Sequence, residues 1–294
     1  MPSNNINPAA VVLEPLLQIK STFKYHLDKL NSLQQRIITA LVFIPIGLGA
    51  IWVGSPAFDA LAVVVLICMT REWSRMAMGG LFSPLGYCFT ALILSYLYLD
   101  ISINQYTRWA LISTGGCFLY HLYEHYQQPT IRLRDFIIYG IGSLYITWSL
   151  YILVYMMNEG LHLFFMWMLI IVLSSDTGAY FAGRFIGGPK LAPSVSPNKT
   201  WAGFFGGMIL ASLIGLITAP YLQQLYTTTP QILATCLFLS MTSHIGDLLE
   251  SMMKRYYHVK DSGSILPGHG GLLDRFDSML LVSFAAIVLL FTGL

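Results

Sequence analysis

Four carboxylates near the end of the chain stand in two pairs, Asp247 with Glu250 and Asp274 with Asp277, each three residues apart. On a helix that spacing puts both side chains on one face, so two consecutive helices would bring hard oxygen donors together. Magnesium prefers one or two carboxylates and lets phosphates fill its other positions. The same residues could instead form ion pairs between helices, Asp274 or Asp277 with Arg275 or Lys254. Between the pairs lie Lys254, Arg255, Lys260, Asp261 and the run Pro267-Gly268-His269-Gly270-Gly271. Glycine lets backbone approach an anion closely, and the free N–H groups opening the next helix offer aligned donors. The glycine run alone would equally serve as a tight turn. With Lys254, Arg255, Lys260, His269 and Arg275 around it, the combination reads as a nucleotide-phosphate site. His269 is assigned as a hydrogen-bond donor to phosphate, because no second His or Cys stands at zinc-ligand spacing.

Upstream, Asp176, Tyr180 and Arg184 are four residues apart and share a helical face if the helix continues. Asp176 paired to Arg184 or to a neighbouring helix is the structural alternative to a role in the site. Residues 190–207 follow, where Pro193 and Pro197 forbid regular helix and Lys190 and Lys199 could reach a polyanion.

The elements that position these groups are membrane helices. Of 294 residues 55% are hydrophobic and 10% charged, with a mean hydropathy of +0.64, well above soluble usage. Apolar stretches at 37–53, 57–70, 81–99, 107–122, 136–157, 161–175, 201–220, 231–249 and 272–292 predict an all-α polytopic protein with about nine transmembrane helices. Cytoplasmic loops collect Lys and Arg. With a cytoplasmic N-terminus, inner segments hold fifteen of the 16 cations, and only Arg108 falls outside. The C-terminus is then outside, and Asn198-Lys199-Thr200 lies on the wrong face for glycosylation. The cations follow topology and form no single basic surface, which argues against nucleic acid as partner. Cys68, Cys88, Cys117 and Cys236 fall in apolar runs without metal spacing, so neither disulfide nor zinc site is expected. No cleavable signal peptide is expected.

Residues 1–36 read as a cytoplasmic amphipathic leader, 37–157 as a transmembrane scaffold and 158–294 as the catalytic region. Within the scaffold Asp59 is the carboxylate inside an apolar run. Glu72 and Trp73, at a helix end beside Arg71 and Arg75, are explained by a surface ion pair and an interfacial aromatic, with no chemistry assigned. Asp176, Asp247, Glu250, Asp274 and Asp277 lie within or at the ends of apolar spans. A carboxylate there costs on the order of 2.5–3.5 kcal/mol unless paired or metal-bound.

The run Ser251, Lys254-Arg255, Lys260-Asp261, Gly263, Leu266-Pro267, His269-Gly270-Gly271, Asp274-Arg275 and Asp277 resembles the signature of the phosphatidate cytidylyltransferase family, also called CDP-diglyceride synthases. SDTGAYFAGR, SPNKTW and GDLLES resemble further family motifs in the same order. The specific likeness covers about 174–294, and the first half agrees mainly in hydropathy and in Arg71-Glu72-Trp73. Ala202 stands where family members commonly carry an acidic residue, which removes a carboxylate from that position. The resemblance implies transfer of CMP from CTP to phosphatidic acid, giving CDP-diacylglycerol and pyrophosphate, by a metal-dependent nucleotidyltransferase of phospholipid synthesis in the bacterial inner membrane, with the active site on the cytoplasmic face. It implies Mg2+ on Asp247 and Asp274, with Asp277 supporting, and a second cation, monovalent or divalent, is left open. Lys199, Lys254, Lys260 and Arg275 would grip phosphates, Arg255 and Asp261 would join the substrate site, and His269, Gly270 and Gly271 would cradle one phosphate. Asp176 and Arg184 complete the set, and a homodimer is implied as well. Two other readings stand beside it: a CTP-dependent kinase of a polyprenol- or phytol-type alcohol, and an ion-coupled transporter, against which stands the lack of internal repeats.

Overall fold

The computed structural model describes residues 30–79, 132–222 and 228–292. Its first helix, α1 (Ser32–Val53), starts from a reciprocal cap: the Gln34 N–H donates to Asn31 Oδ1 at 2.9 Å, and the Asn31 N–H to Gln34 Oε1 at 3.1 Å. There follow α2 (Ala57–Met78), α3 (Leu133–Asn158), α4 (His162–Phe185), a short antiparallel hairpin of β1 (Lys190–Ala192) and β2 (Ser196–Thr200), α5 (Trp201–Thr218), a 3-10 turn (Ala219–Leu222), α6 (Thr229–Tyr256) and α7 (Leu273–Thr292). Five of these, α1, α3, α4, α5 and α6, are long and apolar enough to cross a membrane. The expected stretches 81–99 and 107–122, leader residues 1–29, Arg108, Cys88 and Cys117 lie outside the described residues. Cys68 and Cys236 are free.

Hydropathy drew two spans too short. The stretch 57–70 belongs to a 22-residue helix and 161–175 to a 24-residue one. Hydropathy falls where Arg71, Glu72 and Asp176 begin, yet the backbone hydrogen-bond ladder runs on, because Glu72 takes polar partners from the loop before the last helix, Arg71 is exposed and Asp176 faces a polar cavity. Between α4 and α5 the segment with two prolines forms the hairpin, pairing Lys190 with Thr200 and Ala192 with Ser196. Thr200 then caps α5, its Oγ1 accepting from the Gly203 N–H at 3.1 Å.

The buried core runs through α2, α3, α4, α6 and α7, with Leu66, Met69, Tyr139, Val154, Met168, Ile171, Leu239 and Val282 fully enclosed. Helices α4 and α5 approach closely through small residues: a Cβ on Gly178 would come 2.6 Å from the Gly206 carbonyl oxygen. On the outside, Trp52, Ile209, Ile217 and Phe291 are exposed apolar groups, suited to lipid. Cross-contacts gather one end of the bundle. The Tyr256 hydroxyl at the end of α6 donates to Asp135 at the start of α3 at 2.6 Å, and the Arg36 Nε on α1 donates to the Gly268 carbonyl at 3.0 Å. Nearly every charged side chain singled out above sits at that end.

Candidate active site

The loop between α6 and α7 carries the glycine run, and a buried carboxylate from the scaffold holds it. Glu72, 2% exposed, accepts from the Leu272 and Leu273 N–H groups, both at 2.9 Å, and from Ser262 Oγ at 3.3 Å. These are the free donors that open α7, so an acid on α2 caps a helix some 200 residues away. The surface role expected for Glu72 is therefore wrong. Its hydropathic position marked the end of an apolar run, whereas packing of α2 against the loop buries it. The loop leaves no space beside this carboxylate: a Cβ on Gly271 would overlap Ser262 Oγ and come 2.7 Å from Glu72 Oε2. Gly268 and Gly270 have φ of 74° and 85°, a left-handed region that glycine enters freely. Thr39 Oγ1 donates to the Pro267 carbonyl at 2.9 Å, and Arg275 donates to the His269 carbonyl through Nε at 3.1 Å and a terminal nitrogen at 2.8 Å.

Asp274 is drawn into the same loop. It accepts from Gly271 N–H at 2.8 Å, from Ser262 N–H at 3.0 Å, and from the Lys254 ammonium at 2.8 Å. Lys254 in turn lies 2.6 Å from Glu250 Oε2, one turn back on α6, so one buried cation is clamped between two buried carboxylates. The expected alternative of an Asp274–Lys254 pair is thus present, while Arg275 is committed to backbone. His269 lies outside the helices. Burial, with the Arg275 and Arg36 charges beside it, lowers its pKa below the ordinary histidine value, so the imidazole is neutral at pH 7 with one N–H to donate.

A second constellation lines a cavity of about 710 Å³ between α4, the hairpin, α5 and α6. Asp176, Tyr180, Arg184, Asn198, Lys199, Thr200, His244 and Asp247 face it. Lys199 Nζ, carried by β2, lies 2.6 Å from Asp247 Oδ2 on α6, although off the ideal hydrogen-bond direction. The expected Asp176–Arg184 pair does not form: Arg184 donates to the Tyr180 hydroxyl at 2.7 Å and lies over that ring. Asp176 instead shares the electrostatic field of Asp247 and Lys199. Asp277 follows Asp274 by three residues on α7, and its backbone packs against Gly246, the neighbour of Asp247: a Cβ on Gly246 would come 2.8 Å from the Asp277 carbonyl oxygen. Arg255 reaches the Val195 carbonyl of the hairpin turn at 3.4 Å, and Lys260 and Asp261 are exposed on the loop.

Three residues of this site escaped the sequence reading: Glu72, His244 and Asn198. His244 meets Ser175 Oγ at 3.2 Å; its place three residues before Asp247, on the same helical face, was the available signal.

Among the described residues no three His, Cys, Asp or Glu side chains already stand as a metal cage. The donor chemistry nonetheless suits a hard cation. Asp247 and Asp274 each hold an ammonium within 2.8 Å, Lys199 and Lys254 respectively, so both are positions that favour a positive charge. A metal reaching Asp274 must displace Lys254 from Oδ1, since Oδ2 is taken by two backbone N–H groups.

The model of the cytidylyltransferase family matches residues 34–292. This chain is similar to the phosphatidate cytidylyltransferase of Brucella suis, at 36% identity over 273 residues, covering 89% of this chain and 94% of that protein. Similarity extends to the phosphatidate cytidylyltransferase of Staphylococcus epidermidis, 36% identical over 224 residues (76% and 73%), and to that of Bacillus subtilis, 48% identical over 120 residues (38% and 42%).

Proposed function

The chain belongs to the cytidylyltransferase family, and from that premise we propose that it transfers CMP from CTP to phosphatidic acid, releasing CDP-diacylglycerol and pyrophosphate. The observation that carries this reading is the convergence of Lys199, Asp247, Lys254 and Asp274, from a hairpin and two membrane helices, at one end of an apolar bundle. A water-soluble polyanion and a lipid headgroup can meet only at such a boundary.

The lipid phosphate has a second pKa near ~6, so it is ionised at pH 7 and the enzyme need not deprotonate it. One of its oxygens attacks the α-phosphorus of CTP; the bond to the β-phosphate breaks, and pyrophosphate leaves with the electron pair. The task is positioning two polyanions and neutralising charge as it shifts, a matter of orientation and fixed electrostatics. Lys199 and Lys254, held by Asp247 and by Glu250 with Asp274, are the ammonium groups that phosphates would engage. Lys260, exposed on the loop, and Arg275, which keeps donors beyond those given to His269, would bind the outer phosphates. The N–H groups of Gly270 and Gly271 are given to Leu266 and Asp274, so these glycines would only let a phosphate approach closely, with the His269 ring donating one N–H, while Arg255 and Asp261 border the loop. Asp176 and Arg184 line the cavity in which the headgroup or nucleotide would lie. Mg2+ would be held by Asp247, Asp274 and Asp277, and would supply charge neutralisation on the α-phosphate and the departing pyrophosphate; a second, monovalent or divalent, cation is compatible with the acidic set.

The reading places the protein in the bacterial inner membrane with nine spans, a cytoplasmic N-terminus, an outer C-terminus and the site on the cytoplasmic face. Supporting it, α2 ends and α3 begins at the same end of the bundle, as two further apolar spans between them require, and the cations gather there. A homodimer is part of the same proposal.

Product analysis tests the function. Purified protein with phosphatidic acid and CTP labelled at the α-phosphate transfers the label to lipid, and label at the γ-phosphate leaves as pyrophosphate. Transfer of the γ-label to lipid would instead make the protein a lipid kinase.

A further inference from the structure

Behind the acidic cluster lies a second cavity, of about 370 Å³, between the scaffold helices α2 and α3 and the site helices α6 and α7. Its wall is formed by Trp73, Met76, Ile146, Met253 and Leu280, with Ile141 and Leu249 at its rim, where they are 62% and 37% exposed. On α7 the lining runs from Leu273 to Leu280, which at 1.5 Å per residue is about 10 Å along the helix axis. That depth compares with the ~15 Å of one leaflet's hydrocarbon. Two acids border it at the end nearest the loop: Glu250 is turned to Lys254 at 2.6 Å, and Asp277 accepts from the Ser278 N–H at 2.6 Å.

We propose that this cavity holds one acyl chain of the lipid substrate, with Asp277 as the partition between chain and headgroup. The proposal rests on the reading that the acceptor is phosphatidic acid. Asp277 lines the apolar cavity, and its backbone packs against Gly246, whose neighbour Asp247 faces the polar one. A lipid is the ligand class whose apolar and anionic parts are covalently joined over such a short span. A lining that runs about 10 Å along α7 suits a chain, and an apolar site with a few polar groups at one end is the usual form of a ligand cavity. The exposed rim residues Ile141 and Leu249 leave a lateral opening, so a chain could enter from the bilayer without leaving hydrocarbon.

The test uses the full chain in nanodiscs or mixed micelles, with dioleoyl and dihexanoyl phosphatidic acid as paired substrates. Leu249→Trp and, from the facing wall, Ile141→Trp fill the rim without touching the residues assigned to phosphate or metal. Each variant is expected to lower the ratio of kcat/KM for dioleoyl over dihexanoyl substrate about tenfold, with the KM for CTP within twofold of the parent. The ratio is independent of the fraction of active protein, so partial misfolding does not imitate the effect. An unchanged ratio overturns the proposal. As a second measurement on the unaltered chain, phosphatidic acid carrying a diazirine at the end of one acyl chain is expected to label α3 and α7. Label confined to the exposed faces of α1 and α5 overturns it as well. Failure of the parent chain to form CDP-lipid from either substrate would refute the underlying function, which is a distinct result from unchanged chain selectivity.

Discussion

Replacing Glu72 by alanine tests whether the scaffold half of the molecule builds the site or merely carries it. The carboxylate accepts two backbone N–H groups at 2.9 Å and one hydroxyl at 3.3 Å, and it is 2% exposed. Removing it leaves the Leu272 and Leu273 N–H groups in a buried place with no acceptor, and each such orphan costs about 1–3 kcal/mol. Partial access of water to the new space would recover some of this, so a net loss of about 3 kcal/mol is expected. The loss is local. The N-terminus of α7 and residues 262–271 would detach from α2, moving Asp274 and the glycine run together. Glu72→Gln keeps one carbonyl acceptor and the side-chain volume but introduces an N–H₂ facing other donors, so it should fall between the parent and Glu72→Ala. Protease protection of the loop, thermal inactivation in detergent and kcat/KM for CTP are the assays. Expected is loop cleavage with a drop in kcat/KM of at least tenfold for Glu72→Ala, and a partial rescue for Glu72→Gln. If Glu72→Ala matched the parent in protection and turnover, Glu72 would not be an anchor, and the account of how the loop is positioned would be wrong.

Lys254→Met leaves Glu250 and Asp274 buried without their shared cation, and removing one partner of a buried pair costs about 3–5 kcal/mol; thermal inactivation should fall well below the parent, and added Mg2+ should recover part of it. Gly271→Ala places a methyl against Ser262 Oγ and Glu72, so the purified variant should lose turnover and loop protection together. His269 is more easily protonated in the unfolded chain, since burial lowers its folded pKa below the ordinary value. Its contribution is therefore complete above pH ~6.5 and declines as pH falls below that, so a melting-against-pH series should lose this acid-side slope in His269→Gln.

Much of the site was legible in residue types. The spacing of Asp247 with Glu250 and of Asp274 with Asp277 points to helix faces, and the structure carries these acids on α6 and α7 with the basic residues in and beside the loop that joins them. Less legible was the way each charge is used. For Asp274 the residue types allow a metal ligand or an ion pair with Lys254; the pair forms, and two backbone N–H groups join it, donors that spacing alone does not reveal. Glu72 could not be placed because its partners are some 200 residues away, and local hydropathy carries no long-range pairing. The hairpin carrying Lys199 was read only as non-helical, because two prolines exclude helix without saying which strands pair. Apolar runs mark where the spans lie but not the ends of α2 and α4, because Glu72 is satisfied by backbone of a distant loop and Asp176 faces a polar cavity, both of which hydropathy treats as stops.

The measurement that bears most directly on the central claim is turnover of Asp274→Asn, purified alongside the parent and assayed with labelled CTP, phosphatidic acid and Mg2+. Asparagine keeps an acceptor for Gly271 and Ser262 but removes the negative charge that holds Lys254 and would hold a metal. The account predicts a folded protein, with parental helicity, that forms no CDP-lipid. A folded Asp274→Asn with parental turnover would contradict it.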